Sequence, residues 1–270
     1  MKTHSSNVLG LSFLLCIFCL GFYSHGNAQN APTEAGRKTV VVELFTSEGC
    51  STCPPADALL QLLEEKQPIA GAEVIALEEH VDYWNHQGWS DPYSSAEWTQ
   101  RQEAYSAFFK AQMYTPQMVV DGTKQLVGNS GMDARHAIEN AARRADTDVS
   151  IVPGTADGKG TRQFTVSVGK LAGNAAGDAA EVWLAVTEDG LESSVSGGEN
   201  SGHVLHHAAT LRSLRKIGVA ESGKAPASFT GEPRVKFDSH WNPAKAHVVV
   251  FVQEKKSREI LGAASVKITQ

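Results

Sequence analysis

Two cysteines three residues apart, in the run Cys50-Ser51-Thr52-Cys53, are the side chains best suited to chemistry in this chain. That spacing serves a redox disulfide, a small structural loop or half of a metal site. A bridge across so short a loop stabilises little, because the chain entropy it removes grows with loop length, which favours chemistry over stapling. In the redox reading Cys50 is the attacking, more exposed thiol and Cys53 resolves the mixed disulfide. In the metal reading two thiolates need further ligands. His80 supplies one, so that Cys50, Cys53 and His80 make a soft site suited to copper(I), with His86 a further candidate. Asp82, two residues beyond His80, faces the same way on an extended chain. The plainer reading of His80 and Asp82 is that they hydrogen-bond an aromatic-rich loop into place.

The flanking sequence must hold the pair. Thr39 to Thr46 (TVVVELFT) is a β-branched and apolar run that reads as a buried strand. After the cysteines, PPADALLQLLEEK has apolar residues near helical spacing, and its prolines sit where a missing N–H matters least. Free N–H groups and the dipole at a helix start favour a thiolate. Pro54 pushes Cys53 away from α geometry, so the regular helix is expected from Pro54 or Pro55, and Glu48 opposes thiolate formation. Glu73 to Leu77 reads as a second buried strand. Residues 80–115 form an aromatic-rich insert with a helix within Ser95 to Lys110. Residues 117–127 read as a hairpin turning at Asp121-Gly122, followed by a helix capped by Ser130. Thr115-Pro116 stands just before the hairpin and is expected to be cis. With Trp84, His80 and Asp82, Thr115 and Pro116 are expected to shape a substrate groove beside the cysteines.

From Asp148 onward short strand-like runs alternate with turn-rich segments, the pattern of an antiparallel sandwich. His203, His206 and His207 fall on one such run, with His203 and His207 on one face and His206 on the other; they could serve a metal site, but read better as part of a solvated or packed strand. The expected fold class is therefore α/β: a thioredoxin-like domain over residues 38–147, with the insert at 80–115, followed by an antiparallel β-sandwich domain over 148–270. Residues 1–28 read as a signal peptide, with Lys2 at the start, an apolar core from Val8 to Phe22 and small residues at Gly26-Asn27-Ala28. Cleavage removes Cys16 and Cys19 and sends the protein to the periplasm or outside the cell, with no membrane attachment. The formal charge of −6 becomes −7 when Lys2 is lost. With no basic stripe, nucleic acid is a poor partner. Glycine-rich phosphate loops, GxSxG elbows and HExxH helices are absent, and no cofactor is expected.

Several segments carry a family resemblance: ELFTSEGCSTCPPAD (43–57), HVDYWNHQGWSDPYSS (80–95), TQRQEAY (99–105), YTPQMVVDG (114–122), GENSGHVLHHAATLRSL (198–214) and VVVFVQEKKSREILGAA near the end. Together they resemble the secreted, thioredoxin-like bacterial proteins catalogued as domain of unknown function 1223, over nearly all of the chain after the leader. The resemblance implies a thioredoxin-like fold with a CxxC pair and no established substrate. The leading expectation is a thiol–disulfide oxidoreductase acting on a protein thiol or disulfide. The alternatives are a copper-handling protein using Cys50, Cys53 and His80, or a non-catalytic binding scaffold. The direction of electron flow and the oligomeric state stay open.

Overall fold

A computed structural model describes residues 1–2, 36–173, 178–222 and 227–268. The expected signal peptide lies, but for its first two residues, outside the described ones. Gly36 to Gln270 forms one compact unit. Its chain order is β1 (Lys38–Thr46), α1 (Pro54–Lys66), β2 (Ala72–His80), α2 (Ala96–Phe109), β3 (Gln117–Val120), β4 (Lys124–Val127), α3 (Gly131–Ala141), β5 (Val149–Ala156), β6 (Thr161–Val168), β7 (Ala180–Glu188), β8 (Leu191–Ser194), β9 (Val204–His207), β10 (Thr210–Ala220), β11 (Phe229–Gly231), β12 (Arg234–Lys236), β13 (Ala246–Glu254) and β14 (Ile260–Lys267). No described helix is long and apolar enough to cross a membrane.

The local readings of the first half hold at these elements, except that Cys53 keeps α geometry before Pro54 (φ −78°, ψ −41°) and Ser130 begins α3 without a side-chain cap bond. The run of valines becomes β1, and Pro54 and Pro55 open α1 with Cys53 as its N-cap. Ser95 caps α2 by accepting the Glu97 N–H. Asp121 and Gly122, both at positive φ, turn the β3–β4 hairpin.

The fold class requires correction. The two halves do not form the expected thioredoxin-like α/β domain followed by a separate antiparallel sandwich. Eight strands make one mixed sheet in the order β14-β13-β7-β10-β2-β1-β3-β4, which takes four strands from each half of the chain. Strands dominate, with only three α-helices among the described residues. The join is one parallel bridge between Glu78 of β2 and Thr210 of β10. A partner 132 residues away leaves no trace in periodicity, which reports the type of an element and not its neighbour.

The core crosses the same seam. Val41, Ile75 and Leu77 from the first half pack with Ala185, Leu211, Val249 and Phe251 from the second, under Trp98 of α2. On the opposite face, α1 and α3 cover β1 to β4. A small sheet, β5-β6 with β11 and β12, covers β7 and β13 through Phe164, Val166 and Val235. A two-stranded hairpin, β8–β9, lies against α1. An expected single strand from Val204 to Leu211 is split between β9 and β10, because Ala209 takes a positive φ and breaks the run.

Candidate functional site

β1 delivers the chain to the CSTC turn, and α1 leaves from it. Cys50 and Cys53 are joined as a disulfide, with Cα atoms 5.5 Å apart. The turn is closed by Cys50 N–H to the Ser47 carbonyl at 3.1 Å and Cys53 N–H to the Cys50 carbonyl at 3.2 Å. The first turn of α1 holds no free donor. Pro54 and Pro55 have no N–H, and those of Ala56 and Asp57 both donate to the Cys53 carbonyl, at 2.7 and 3.1 Å. The thiolate therefore loses the N–H groups expected to stabilise it and keeps only the dipole.

Exposure also differs from expectation. Cys50 is 1 % exposed and Cys53 fully buried, so neither sulfur is an open nucleophile. Ser51 and Thr52 form the outer edge of the turn. The segment between β8 and β9 lies over it: the Glu199 carboxylate accepts from Ser51 N–H at 3.0 Å and Ser51 Oγ at 2.6 Å. Asn200 Nδ2 donates to the carbonyls of Glu48 and Cys50, at 2.8 and 3.1 Å.

The expected groove residues converge in part. Trp84 packs on Gly49, where an added Cβ would stand 3.1 Å from the Trp84 Cβ, and its indole N–H donates to Thr115 Oγ1 at 2.9 Å. The Thr115–Pro116 bond is cis. Pro116 is buried next to Gly128, whose missing side chain makes room: a Cβ there would lie 2.7 Å from Leu44 and 3.1 Å from both Ala56 and Pro116. Asp82 is elsewhere, accepting from Thr99 Oγ1 at 2.6 Å beside α2. His86 is exposed.

His80 belongs to a different constellation, and its nitrogens face carboxylates. Alternation along β2 sends Glu78 and His80 to the α1 face and Glu79 to the α2 face. His80 Nδ1 meets Asp91 Oδ2 at 2.7 Å, and Nε2 lies 3.5 Å from Glu78 Oε2. His207, on the buried side of β9, bridges Glu78 (Nδ1 to Oε1, 3.2 Å) and Glu48 (Nε2 to Oε1, 3.1 Å). The Trp89 indole N–H donates to the other Glu48 oxygen at 2.7 Å. Thr210 Oγ1 donates to Glu78 Oε2 at 2.9 Å. Asp91 is held by the N–H groups of Glu48 and Tyr93, each at 2.9 Å. His203 and His206 are exposed, the latter 3.3 Å from Glu192.

Burial sets the charges of this cluster. It pushes the imidazoles toward neutrality, but the charge and hydrogen bond of Asp91 hold His80 well above its usual range. Against the same penalty, Glu78 and Glu48 raise His207 to about 9. Burial works to raise Glu78 as well, and the two imidazoles overcome it, bringing the carboxyl down to about 2. Asp57 follows the penalty. It lies one turn beyond Cys53 in α1, bonded to Thr46 Oγ1 at 2.6 Å, and burial together with the charge of Glu78 raises it to about 7. Glu78, Asp91 and Asp57 were not singled out from sequence, whereas His207 was, as one of three histidines on a strand. The available signals were an acidic pair and a histidine ending an otherwise apolar strand, and a second histidine at a buried alternation of β9.

The comparisons fit this geometry as fold only. Protein AGR_C_4864 from Agrobacterium tumefaciens is similar at 23 % identity, with a TM-score of 0.62 over 87 % of this chain and 96 % of that one. HBP35 of Porphyromonas gingivalis is similar at 16 % identity, with a TM-score of 0.62 over 86 % of this chain and 76 % of that one. No curated protein matches the chain at a significant level. The model of the family described as "Protein of unknown function (DUF1223)" matches residues 41–253, and the chain belongs to that family.

Proposed function

We propose that the protein is an exported thiol–disulfide oxidoreductase whose Cys50–Cys53 pair is gated rather than open. The carrying observation is the pair itself: two sulfurs joined at the start of α1, beneath a segment tied down by only a few hydrogen bonds from Glu199 and Asn200. In the reducing direction, the segment lifts and Cys50 attacks one sulfur of a protein disulfide as a thiolate. A mixed disulfide forms and the other substrate sulfur leaves as a thiolate. Cys53 then gives up its proton, attacks the Cys50 sulfur and expels the second substrate thiolate. Two electrons pass from the pair to the substrate, and the reverse sequence oxidises a dithiol. Asp57, held near 7, is suited to accept the Cys53 proton at neutral pH. Trp84, packed on Gly49 and bonded to Thr115, would offer an apolar surface to a substrate beside the turn. The leader-like residues 1–28 support export to an oxidising compartment, where such a pair has partners.

The test is a Cys53→Ser variant expressed with its leader. Mixed disulfides on Cys50 are expected to accumulate, and the wild-type couple is expected to titrate within the range of about −120 to −270 mV spanned by catalytic pairs. No trapped species together with a couple below about −300 mV, the range of structural disulfides, would overturn the reading.

A further inference from the structure

Beneath the cysteine turn, three donor atoms from two strands meet in a fully buried pocket of charge. We propose that Glu78, His80 and His207 bind one divalent first-row transition ion of the zinc class. Their ligand atoms all lie within 4.8 Å of one another. This site goes beyond the redox reading and does not depend on it.

The orientation of the imidazoles carries the inference. Each has one nitrogen fixed from behind by a carboxylate: His80 Nδ1 by Asp91 at 2.7 Å, and His207 Nε2 by Glu48 at 3.1 Å. Each turns its other nitrogen toward Glu78. A carboxylate behind a histidine is the usual support of a metal ligand, fixing ring orientation and raising basicity. Here both histidines have one. The supports are themselves held, Asp91 by the N–H groups of Glu48 and Tyr93, and Glu48 by the Trp89 indole.

The second observation is an orphan. His80 Nε2 is completely buried and has no hydrogen-bond partner. A buried polar atom without a partner is costly, and this one points at the other two ligands. The spacings also suit an ion. Tetrahedral bonds of about 2.0–2.1 Å put neighbouring donors about 3.3–3.4 Å apart. Glu78 reaches the two rings with different oxygens, Oε1 at 3.2 Å from His207 Nδ1 and Oε2 at 3.5 Å from His80 Nε2, so an ion need only draw in a set already within 4.8 Å.

Charge points the same way. Glu48, Glu78 and Asp91 bring three carboxylates together, and among the described residues no lysine or arginine forms an ion pair with any of them. A dication between neutral imidazoles takes over the positive charge that protons on the two rings otherwise supply. Two nitrogens and one carboxylate favour zinc and its first-row neighbours over magnesium or calcium, which take all-oxygen sites, and over copper(I), which takes sulfur. Three protein donors leave a fourth position for water.

The experiment uses the oxidised, chelator-treated protein, in which the sulfurs are closed to metals and redox turnover is irrelevant. Zinc is titrated calorimetrically and cobalt(II) by its visible d–d absorption. One ion per chain is expected, with four-coordinate cobalt intensity and a melting temperature that rises with zinc. Asp91→Asn and Glu48→Gln should each weaken binding by about 10–100-fold, and Glu78→Gln by more. The cobalt spectrum of the wild type needs no variant, so a variant that fails to fold leaves the test intact. Absence of saturable zinc binding in the wild type, or binding unchanged in a folded Glu78→Gln variant, would overturn the site. Zinc binding without disulfide exchange, or the reverse, separates this inference from the proposed activity.

Discussion

Two buried polar clusters stand back to back on β1 and β2, and they solve the same electrostatic problem differently. On the α2 face, Glu43 accepts from Arg101 Nε and from the Tyr105 hydroxyl, both at 2.5 Å, and Gln253 donates to Tyr105 at 2.8 Å. The guanidinium also lies over the rings of Tyr105, Phe251 and Trp183. On the α1 face, Glu78 meets only the two imidazoles and the Thr210 hydroxyl. An arginine keeps its charge at every physiological pH, so the α2 cluster has a permanent cation. The imidazole charges of the α1 cluster are exchangeable, for a proton or for an ion. A fixed cation makes a structural cluster, whereas an exchangeable one leaves room for chemistry.

Removing the fixed cation should do the most damage. Arg101→Met strands the Glu43 carboxylate in the interior and is expected to cost about 3–5 kcal/mol, read as a fall in the urea midpoint. A loss under about 1 kcal/mol would mean that the α2 cluster is as adaptable as its neighbour, and the contrast would fail.

Asp121 is an intermediate case. It is buried with Lys38 4.0 Å away, and it accepts the Val41 N–H at 2.9 Å. Burial raises it from 3.8 to about 7, with Lys38 too far off to compensate. The folded state therefore holds this proton more tightly than the unfolded chain. Its stabilisation is complete below the unfolded value and is lost as pH rises through about 7. Asp121→Asn keeps the acceptor for Val41, and should flatten the stability profile between about pH 4 and 7 by on the order of 2–4 kcal/mol. Parallel profiles for variant and wild type would show that a cation at this distance suffices.

The smallest effect is expected at Glu79. Neither of its buried oxygens has a hydrogen-bond partner, Arg101 Nε stands 3.5 Å from one of them, and burial beside Glu43 nevertheless holds its carboxyl well above the usual range. Glu79→Gln replaces a neutral acid by a neutral amide and should change stability by about 1 kcal/mol or less. A large destabilisation would show that the α2 cluster uses a second carboxylate charge.

The legibility of the sequence follows the range of each interaction. The CSTC turn, the proline-led helix and the Asp121-Gly122 hairpin are set by a few neighbouring residues and are visible in the local pattern; the cap was expected at Ser130, which makes no cap bond, whereas Ser95, not foreseen as a cap, accepts the Glu97 N–H. The placement of Trp84 beside the turn was also within reach, because it depends on a short loop. His80 was read as a ligand beside the thiols or, more plainly, as a residue that hydrogen-bonds the aromatic-rich loop into place; its bond to Asp91 of that loop fits the plainer reading, and its approach to Glu78 was not foreseen. His207 was expected to share a face with His203 on a solvated or packed strand, yet it alone of the three histidines turns inward. The depth of the cysteines depended on Glu199 and Asn200, about 150 residues further along the chain.

The sequence by itself determined the elements and the cysteine pair, because propensity, turn chemistry and periodicity act over a few residues. Tertiary structure decided that both halves share one sheet, that the sulfurs lie under a cover, and that two histidines from distant strands face one glutamate. The sheet is joined at a single parallel bridge between Glu78 and Thr210, and pairing over such a separation is chosen by the packing of the whole core rather than by any segment of it.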